Sequence, residues 1–338
     1  MIGIGLSINS KGFNIAVVEK IEDKFIIKKL LHEEIEENII NNGNIEVQEE
    51  FISSLGRLVA SNSLTKKRVA LSFFNQKINF RNFTIPIMAE KELRKAVQWQ
   101  IIEDLAMSAE DLVYDYSAFG IDENNYKILA VVAKKEDIFK YMSLIIESGL
   151  SVGIIDLPNT ASIYPISQDT FSEEGYSVIV DINYDTSDIS FLINDNISFI
   201  RNINIGTKRL VKTLARETPY KLSEIMKDKE LFEKNIVYFE DFYSAITSEL
   251  QNSIWFYESN FIKNRSVGHI NLKKIILNHE AIDLPDFKDY INRIPILSKV
   301  TIDTWKPNKK LFEGNIDKIN WKRYNVAIGL AMRSTEND

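Results

Sequence analysis

The sequence contains no cysteine and very little histidine among its 338 residues. The absence of cysteine excludes a disulfide framework, a thiolate zinc site, an iron–sulfur cluster and a cysteine nucleophile. The three histidines, His32, His269 and His279, do not show the spacing that is typical of metal ligands. We therefore expect no metal centre, and we expect His279 to be a solvated loop residue.

Glycine is also scarce, with 13 residues where average usage would give roughly 24. Phosphate-binding loops rely on glycine because their backbone approaches the ligand closely or adopts positive φ. The sequence has no P-loop, no Gly-x-Gly-x-x-Gly fingerprint and no Gly-x-Ser-x-Gly nucleophile elbow. No catalytic residues can be assigned, and the acidic run Glu33–Glu37 is interpreted as an exposed face.

Positive charge is in deficit, because the sequence has 41 Lys and Arg residues but 48 Asp and Glu residues, which gives a net charge of −7. Nonspecific binding to nucleic acid needs a basic surface, so nucleic acid is not an expected partner. No apolar run approaches the roughly 18 residues that a membrane-spanning helix needs. The first residues lack the basic region and cleavage site of a signal peptide. We expect a soluble, cytoplasmic protein without direct membrane insertion.

What the sequence does contain is a repeated strand pattern. The apolar runs Ile2–Ile8 and Phe13–Glu19 flank an Asn/Gly turn, which predicts a β-hairpin. The same pattern of strand, turn and strand recurs at Tyr176–Ile182 and Asp188–Ile193. Such a repeat indicates a duplicated α/β architecture. Amphipathic helices are predicted at Glu46–Ser61, Lys208–Glu217, Asp241–Lys263 and Tyr324–Arg333.

A separate β-α-β-β-α block occupies residues 77–150, between parts of the first half. Its strands are predicted at Ile78–Ile85, Leu112–Phe119 and Lys127–Ala133, and its helices at Glu90–Leu105 and Asp137–Gly149. Trp99 lies off the main apolar stripe of the first of these helices. It either faces a partner or packs against a neighbouring domain.

Two hairpin-led halves with polar first turns resemble the actin/Hsp70/sugar-kinase ATPase fold, and the block at 77–150 resembles the insertion of the FtsA-like branch. Within that branch the chain resembles the PilM-like proteins of type IV pilus assembly. The segments that carry the resemblance keep their order and spacing; they are Arg81–Met88, Glu92–Gln100, Asp111–Tyr116, Gly149–Ala161, Val180–Ile182 with Arg201 and Gly206, and Ala327–Arg333.

This resemblance implies an α/β, actin-like (RNase H-like) duplicated fold with an inserted FtsA/PilM-type subdomain. Its parts would be a first actin-like subdomain at 1–76, continued at 151–173 and 324–338, the insertion at 77–150, and a second actin-like domain at 174–323.

In this fold a nucleotide binds between the halves, and the resemblance implies a corresponding set of positions. They are Ser7, Asn9, Ser10, Lys11, Asp181, Asn183, Asp185, Gly206, Asn278 and Gly329. The family usually has glycine at Asn9 and Asn183, and a Gly-Gly pair within Leu277–Glu280. An asparagine side chain would lie where phosphate or adenosine binds, so we expect nucleotide binding to be weakened or lost and no cofactor. Asp181 is then interpreted as an Asx turn at a strand end.

The resemblance also implies a partner, the N-terminal cytoplasmic tail of a PilN-like membrane protein, which docks as an extended peptide near the insertion. Its candidate groove consists of Arg81, Phe83, Pro86 and Trp99. A homo-oligomeric ring and contacts with other inner-membrane platform proteins of the pilus are further expectations.

The leading interpretation is a nonenzymatic scaffold, or pseudo-ATPase, held at the inner membrane through its partner. One alternative is an active ATPase of the same fold, in which Asp181 and the turns at Asn9 and Asn183 bind ATP and Mg²⁺. A second is an FtsA-like filament protein, which would need a C-terminal amphipathic helix. A third is a sugar kinase, against which the block at 77–150 argues.

Overall fold

The computed structural model describes residues 1–73, 77–120, 124–166, 175–193, 196–262, 272–279 and 284–336. The predictions that fall on residues 76, 173, 174, 338, His269 and Lys263 lie outside these ranges.

The elements follow one another along the chain in three groups. Residues 1–73 form β1 (Ile2–Asn9), β2 (Gly12–Ile21), β3 (Lys24–Glu34), β4 (Ile40–Asn41), β5 (Asn44–Ile45), α1 (Gln48–Ser61) and β6 (Arg68–Ser72). Residues 77–150 form β7 (Asn79–Pro86), α2 (Glu90–Leu105), β8 (Leu112–Gly120), β9 (Asn125–Lys134) and α3 (Lys135–Glu147). The remainder forms β10 (Ser151–Asp156), α4 (Pro158–Ile163), β11 (Tyr176–Ile182), β12 (Ser187–Ile193), β13 (Asn196–Ile203), α5 (Thr207–Glu217), α6 (Leu222–Ile225), α7 (Lys229–Phe261), β14 (Leu272–His279), α8 (Phe287–Asn292), β15 (Thr301–Thr304), β16 (Phe312–Glu313) and α9 (Trp321–Ser334).

Two large sheets repeat one plan, as the duplicated sequence pattern predicts. The first has the order β10-β6-β1-β2-β3-β16 and the second the order β13-β12-β11-β14-β15. In each sheet three antiparallel strands are followed by parallel strands, because β6 pairs with β1 and β14 pairs with β11 in parallel. We call the first sheet with α1, α3, α4 and α9 the first half, and the second sheet with α5–α8 the second half.

Each half has its own apolar core. In the first half, Phe13 of β2 and Phe51 of α1 meet edge to face at 5.2 Å between ring centres, in a core that α3 also lines. In the second half the core lies between the sheet and α7, around the buried rings of Tyr176, Phe191 and Tyr257. The opposite face of the first sheet packs against α9.

Helix α7 begins at Lys229 rather than at the predicted Asp241. Asp228 caps it, because its Oδ1 accepts hydrogen bonds from the N–H groups of Glu230 and Leu231 at 2.9 and 3.2 Å. In the sequence, the charged residues of the first turns interrupt the apolar pattern, so the helix was predicted to begin later. In the structure Phe232 and Phe239 pack together in these turns, with 4.9 Å between ring centres.

The remaining elements β7, α2, β8 and β9 form what we call the insertion, a three-stranded antiparallel sheet of order β7-β9-β8. Helix α2 covers one sheet face through Leu93, Val97 and Ile101. Strands β8 and β9 also contact β13 of the second half. None of the described helices combines the length and apolar character needed to cross a bilayer.

Candidate functional site

A cavity of about 90 Å³ lies in the cleft between the two halves. The turn after β1 lines one wall, the turn after β11 lines the other, and α4, β14 and α9 close the inner end. Most of the positions implied by the family resemblance meet here; they are Ser7, Asn9, Ser10, Asp181, Asn183, Asp185 and Asn278.

The turn after β1 uses its own amide groups internally. The Oδ1 atom of Asn9 accepts hydrogen bonds from the backbone N–H groups of Lys11 and Gly12, at 2.8 and 3.1 Å. This Asx-type arrangement is the local alternative that asparagine offers to a backbone turn. A phosphate loop presents such N–H groups to the ligand instead. The Asn9 side chain therefore occupies the donors that an anion would need.

The turn after β11 is also satisfied internally, by the start of α5. The N–H groups of Thr207 and Lys208 donate to the carbonyl oxygens of Asn183 and Tyr184, at 3.0 and 2.8 Å. Gly206 permits this approach, because a Cβ there would lie 2.3 Å from the Tyr184 carbonyl oxygen. The N-terminus of a helix is a ready anion site only while its first N–H groups are unused.

A row of polar side chains crosses the second sheet beneath this turn. Asn278, Asp181, Asp188 and Asn202 are register neighbours on β14, β11, β12 and β13. Asn278 Nδ2 donates to Asp181 Oδ1 at 2.5 Å, and Asn202 Nδ2 donates to Asp188 Oδ1 at 2.9 Å. Asp181 is thus a paired strand residue.

Asp188 was missed at the sequence level, although the hairpin register implies its position opposite Asp181. Its side chain is 2% exposed. Burial raises its pKa to about 6, and the hydrogen bonds from Asn202 and Asn159 limit the rise. Among the described residues, no three His, Cys, Asp or Glu side chains form a group that could hold a metal ion.

Three implied positions do not line the cavity. Lys11 points across the cleft mouth, with its Nζ 3.8 Å from the ring centre of Tyr184. Gly206 supports the turn from behind. Gly329 lies where α9 crosses α4, because a Cβ there would be 1.8 Å from the Ala161 carbonyl oxygen. Gly329 therefore permits the close packing of α9 on α4.

One other expectation is wrong. His279 is the last residue of β14 and is 7% exposed, so it is a buried strand residue rather than a solvated loop residue. The acidic run Glu33–Glu37 is largely exposed, as expected, and Glu37 within it also accepts a hydrogen bond from the Tyr184 hydroxyl. That bond gives the largest contribution to the lowered pKa of Glu37, followed by its bond with Lys11.

The cavity is small beside the pockets that hold ligands of nucleotide size. Drug-sized ligands occupy pockets of about 300–1,000 Å³, whereas this cavity is about 90 Å³. The amide groups that would hold phosphate already have partners within the protein.

The four groove candidates lie on the insertion but on different faces. Phe83 is partly buried under α2, whereas Pro86 is exposed at the end of β7. The guanidinium of Arg81 donates to the Phe80 carbonyl oxygen at 3.0 Å. Trp99 is 64% exposed on α2, so packing against a neighbouring domain is not seen among the described residues.

Comparison with known proteins gives a family and a fold. The chain matches the family model for type IV pilus assembly protein PilM over residues 5–335. No curated protein matches the chain in sequence. The solved PilM-PilN type IV pilus biogenesis complex is similar with a TM-score of 0.79 and 16% identity, covering 98% of this chain and 98% of that chain. The ethanolamine utilization protein EutJ from Carboxydothermus hydrogenoformans follows with a TM-score of 0.53 and 12% identity, covering 98% of this chain and 89% of that chain.

These likenesses confirm the predicted actin-like α/β fold. Since the family model spans nearly all of the sequence, the chain belongs to the family of type IV pilus assembly protein PilM.

Proposed function

We propose that this protein is a nonenzymatic scaffold of a type IV pilus machine that binds the cytoplasmic tail of a PilN-like membrane protein. Family membership supports the assignment to the pilus. The similar solved structure is a PilM-PilN complex, which supports a partner of the PilN kind. Such a partner would hold the protein at the cytoplasmic face of the inner membrane. A ring of copies and contacts with other platform proteins remain predictions.

The observation that carries the nonenzymatic part is the internal use of backbone N–H groups beside both turns. The Asn9 side chain accepts from the N–H groups of the first turn, and the carbonyl oxygens of the second turn accept from the N–H groups at the start of α5. A bound triphosphate would have to replace these bonds, each worth about 0.5–1.5 kcal/mol. It would also have to enlarge the cavity by separating the halves. Both costs lower its affinity without any direct repulsion.

The nucleotide part is tested by isothermal titration of the protein with ATP and Mg²⁺. We expect no binding at millimolar ATP. The variant Asn9→Gly frees the N–H groups of Lys11 and Gly12, so it should gain measurable affinity if their internal use is what prevents binding. Micromolar binding to the unmodified protein would contradict the proposal and favour the active ATPase of the same fold.

The partner part rests on the insertion. Strands β7 and β8 are the edges of its sheet, and an exposed edge can pair with an extended peptide. Trp99 is exposed on the adjoining helix, and tryptophan is among the residues that contribute most at protein interfaces. An extended tail that pairs with an edge and contacts Trp99 fits both features.

A tail peptide of a PilN-like protein tests this part, with binding followed by titration calorimetry. Trp99→Ala should weaken binding at least tenfold without changing the circular dichroism spectrum. Trp255→Ala is the matched control, because Trp255 is 63% exposed on α7 in the second half. Equal affinities for the Trp99→Ala variant and the unmodified protein would contradict the groove assignment.

A further inference from the structure

Two hydrogen bonds cross the mouth of the cleft from one half to the other. The Ser10 hydroxyl donates to Asp185 Oδ2, and the Tyr184 hydroxyl donates to Glu37 Oε1. Ser10 and Glu37 belong to the first half, whereas Tyr184 and Asp185 lie in the turn between β11 and β12. The halves are therefore joined at the same edge that a ligand would have to enter.

Each of these bonds is supported by a lysine. Lys208 Nζ lies 3.0 Å from Asp185 Oδ1, and both side chains are largely shielded from solvent. Lys11 Nζ lies 3.2 Å from Glu37 Oε1 and 3.8 Å from the ring centre of Tyr184. Charge-assisted bonds are stronger than neutral ones, and shielding preserves their strength. The exposed pair of Lys11 and Glu37 adds less than the shielded pair.

The inner end of the cleft is joined in a different way, by apolar packing. Ile166 of the first half packs into a cluster with Ile179, Leu192, Ile276 and Trp305. Trp305 Nε1 also donates to the Ser162 carbonyl oxygen at 3.0 Å. A packed inner end with a polar mouth is the arrangement of a hinge, because the mouth bonds can break while the apolar contacts stay buried.

We infer that six residues form a clamp that keeps the cleft closed without any ligand: Ser10, Lys11, Glu37, Tyr184, Asp185 and Lys208. A ligand between two halves stabilises closure by contacting both of them. Here side chains of the protein make those contacts, so closure is a property of the chain itself. This inference does not depend on the proposed partner, and it explains how a family member with unsuitable phosphate loops keeps a closed form.

The test measures the distance across the mouth in solution. The chain lacks cysteine, so the substitutions Asn38→Cys and Ala215→Cys at exposed positions accept two spin labels specifically. Pulsed electron resonance of the labelled, nucleotide-free protein should give one short distance population. Adding Tyr184→Phe and Ser10→Ala should introduce a longer population, because both crossing hydroxyls are removed while the ring and the fold remain.

Tyr220→Phe is the matched control, since it removes a hydroxyl from the same half away from the cleft. Glu37→Ala gives a second opening variant at an exposed position, in case the double variant fails to fold. Unchanged distances in both opening variants would overturn the clamp, and so would a broad, long distribution in the unmodified chain. If ATP binds tightly to a protein that is already closed, the proposed loss of nucleotide binding fails while the clamp stands.

Discussion

Lys127 shows how a single buried charge joins two parts of the molecule. It lies on β9 with its side chain 5% exposed, and its Nζ is 3.3 Å from the ring centre of Phe261 and 4.7 Å from that of Tyr257. Among the described residues its Nζ has no hydrogen-bond partner. The rings attract a cation, but burial dominates and lowers the pKa of Lys127 to about 7.

This lowered pKa predicts a pH dependence of stability. Between pH 7 and 9 the folded protein releases the Lys127 proton while the unfolded chain keeps it, so the free energy of unfolding rises with pH. The gain should be about 2 kcal/mol over that range, measured by urea unfolding. Lys127→Met should remove this slope and be more stable at pH 7. If the free energy of unfolding of Lys127→Met rose equally with pH, the pH dependence could not be assigned to Lys127.

At the scale of elements, the closeness of a helix to the sheet decides whether a glycine can be replaced by a larger residue. A Cβ on Gly5 of β1 would lie 2.0 Å from the Ala327 carbonyl oxygen of α9 and 2.6 Å from the Ala331 nitrogen. Both atoms are backbone, so the helix itself would have to move. By contrast, a Cβ on Gly56 of α1 would be 3.7 Å from the nearest atom, the Ser148 carbonyl oxygen.

These two glycines make a matched prediction. Gly5→Ala should lower the free energy of unfolding by about 1–3 kcal/mol, because overpacking forces backbone shifts. Gly56→Ala should raise it by about 0.5–1 kcal/mol, because alanine restricts the unfolded chain and favours the helix. Urea unfolding of both variants checks the pair. A neutral Gly5→Ala variant would show that α9 does not pack as closely as described.

For the whole molecule, the cluster around Trp305 decides whether the halves behave as one unit. Trp305 lies beside Trp321, with 5.8 Å between ring centres, and its indole nitrogen donates a hydrogen bond to the Ser162 carbonyl oxygen of the first half. This cluster joins the apolar cores that otherwise belong to separate halves.

Trp305→Ala should therefore lower stability by about 3–5 kcal/mol and separate the unfolding of the halves. The measurement is urea unfolding followed by circular dichroism and by tryptophan fluorescence, whose transitions should no longer coincide. Trp255→Ala, at an exposed position, should change stability by less than about 0.5 kcal/mol and keep the transitions coincident. Coincident transitions in Trp305→Ala would contradict the joining role.

Local sequence patterns were sufficient to predict an element where apolar residues recur with one clear spacing. Helix α2 spans Glu90–Leu105 as predicted, and the hairpins of both halves pair as their turns indicate. The first turns of α7 escaped prediction because charged residues there mask the apolar positions. The four-residue strand β15 was missed because its pairing partner, β14, is distant in sequence.

The sequence by itself determined the duplicated α/β plan and the family, because periodicity, turns and segment order are properties of the chain. It also located both turns of the cleft and the asparagines within them. Only the tertiary structure decided that Gly329 packs on α4 and that Glu37 meets Tyr184. These two contacts join residues far apart in sequence, so local pattern could not reveal them.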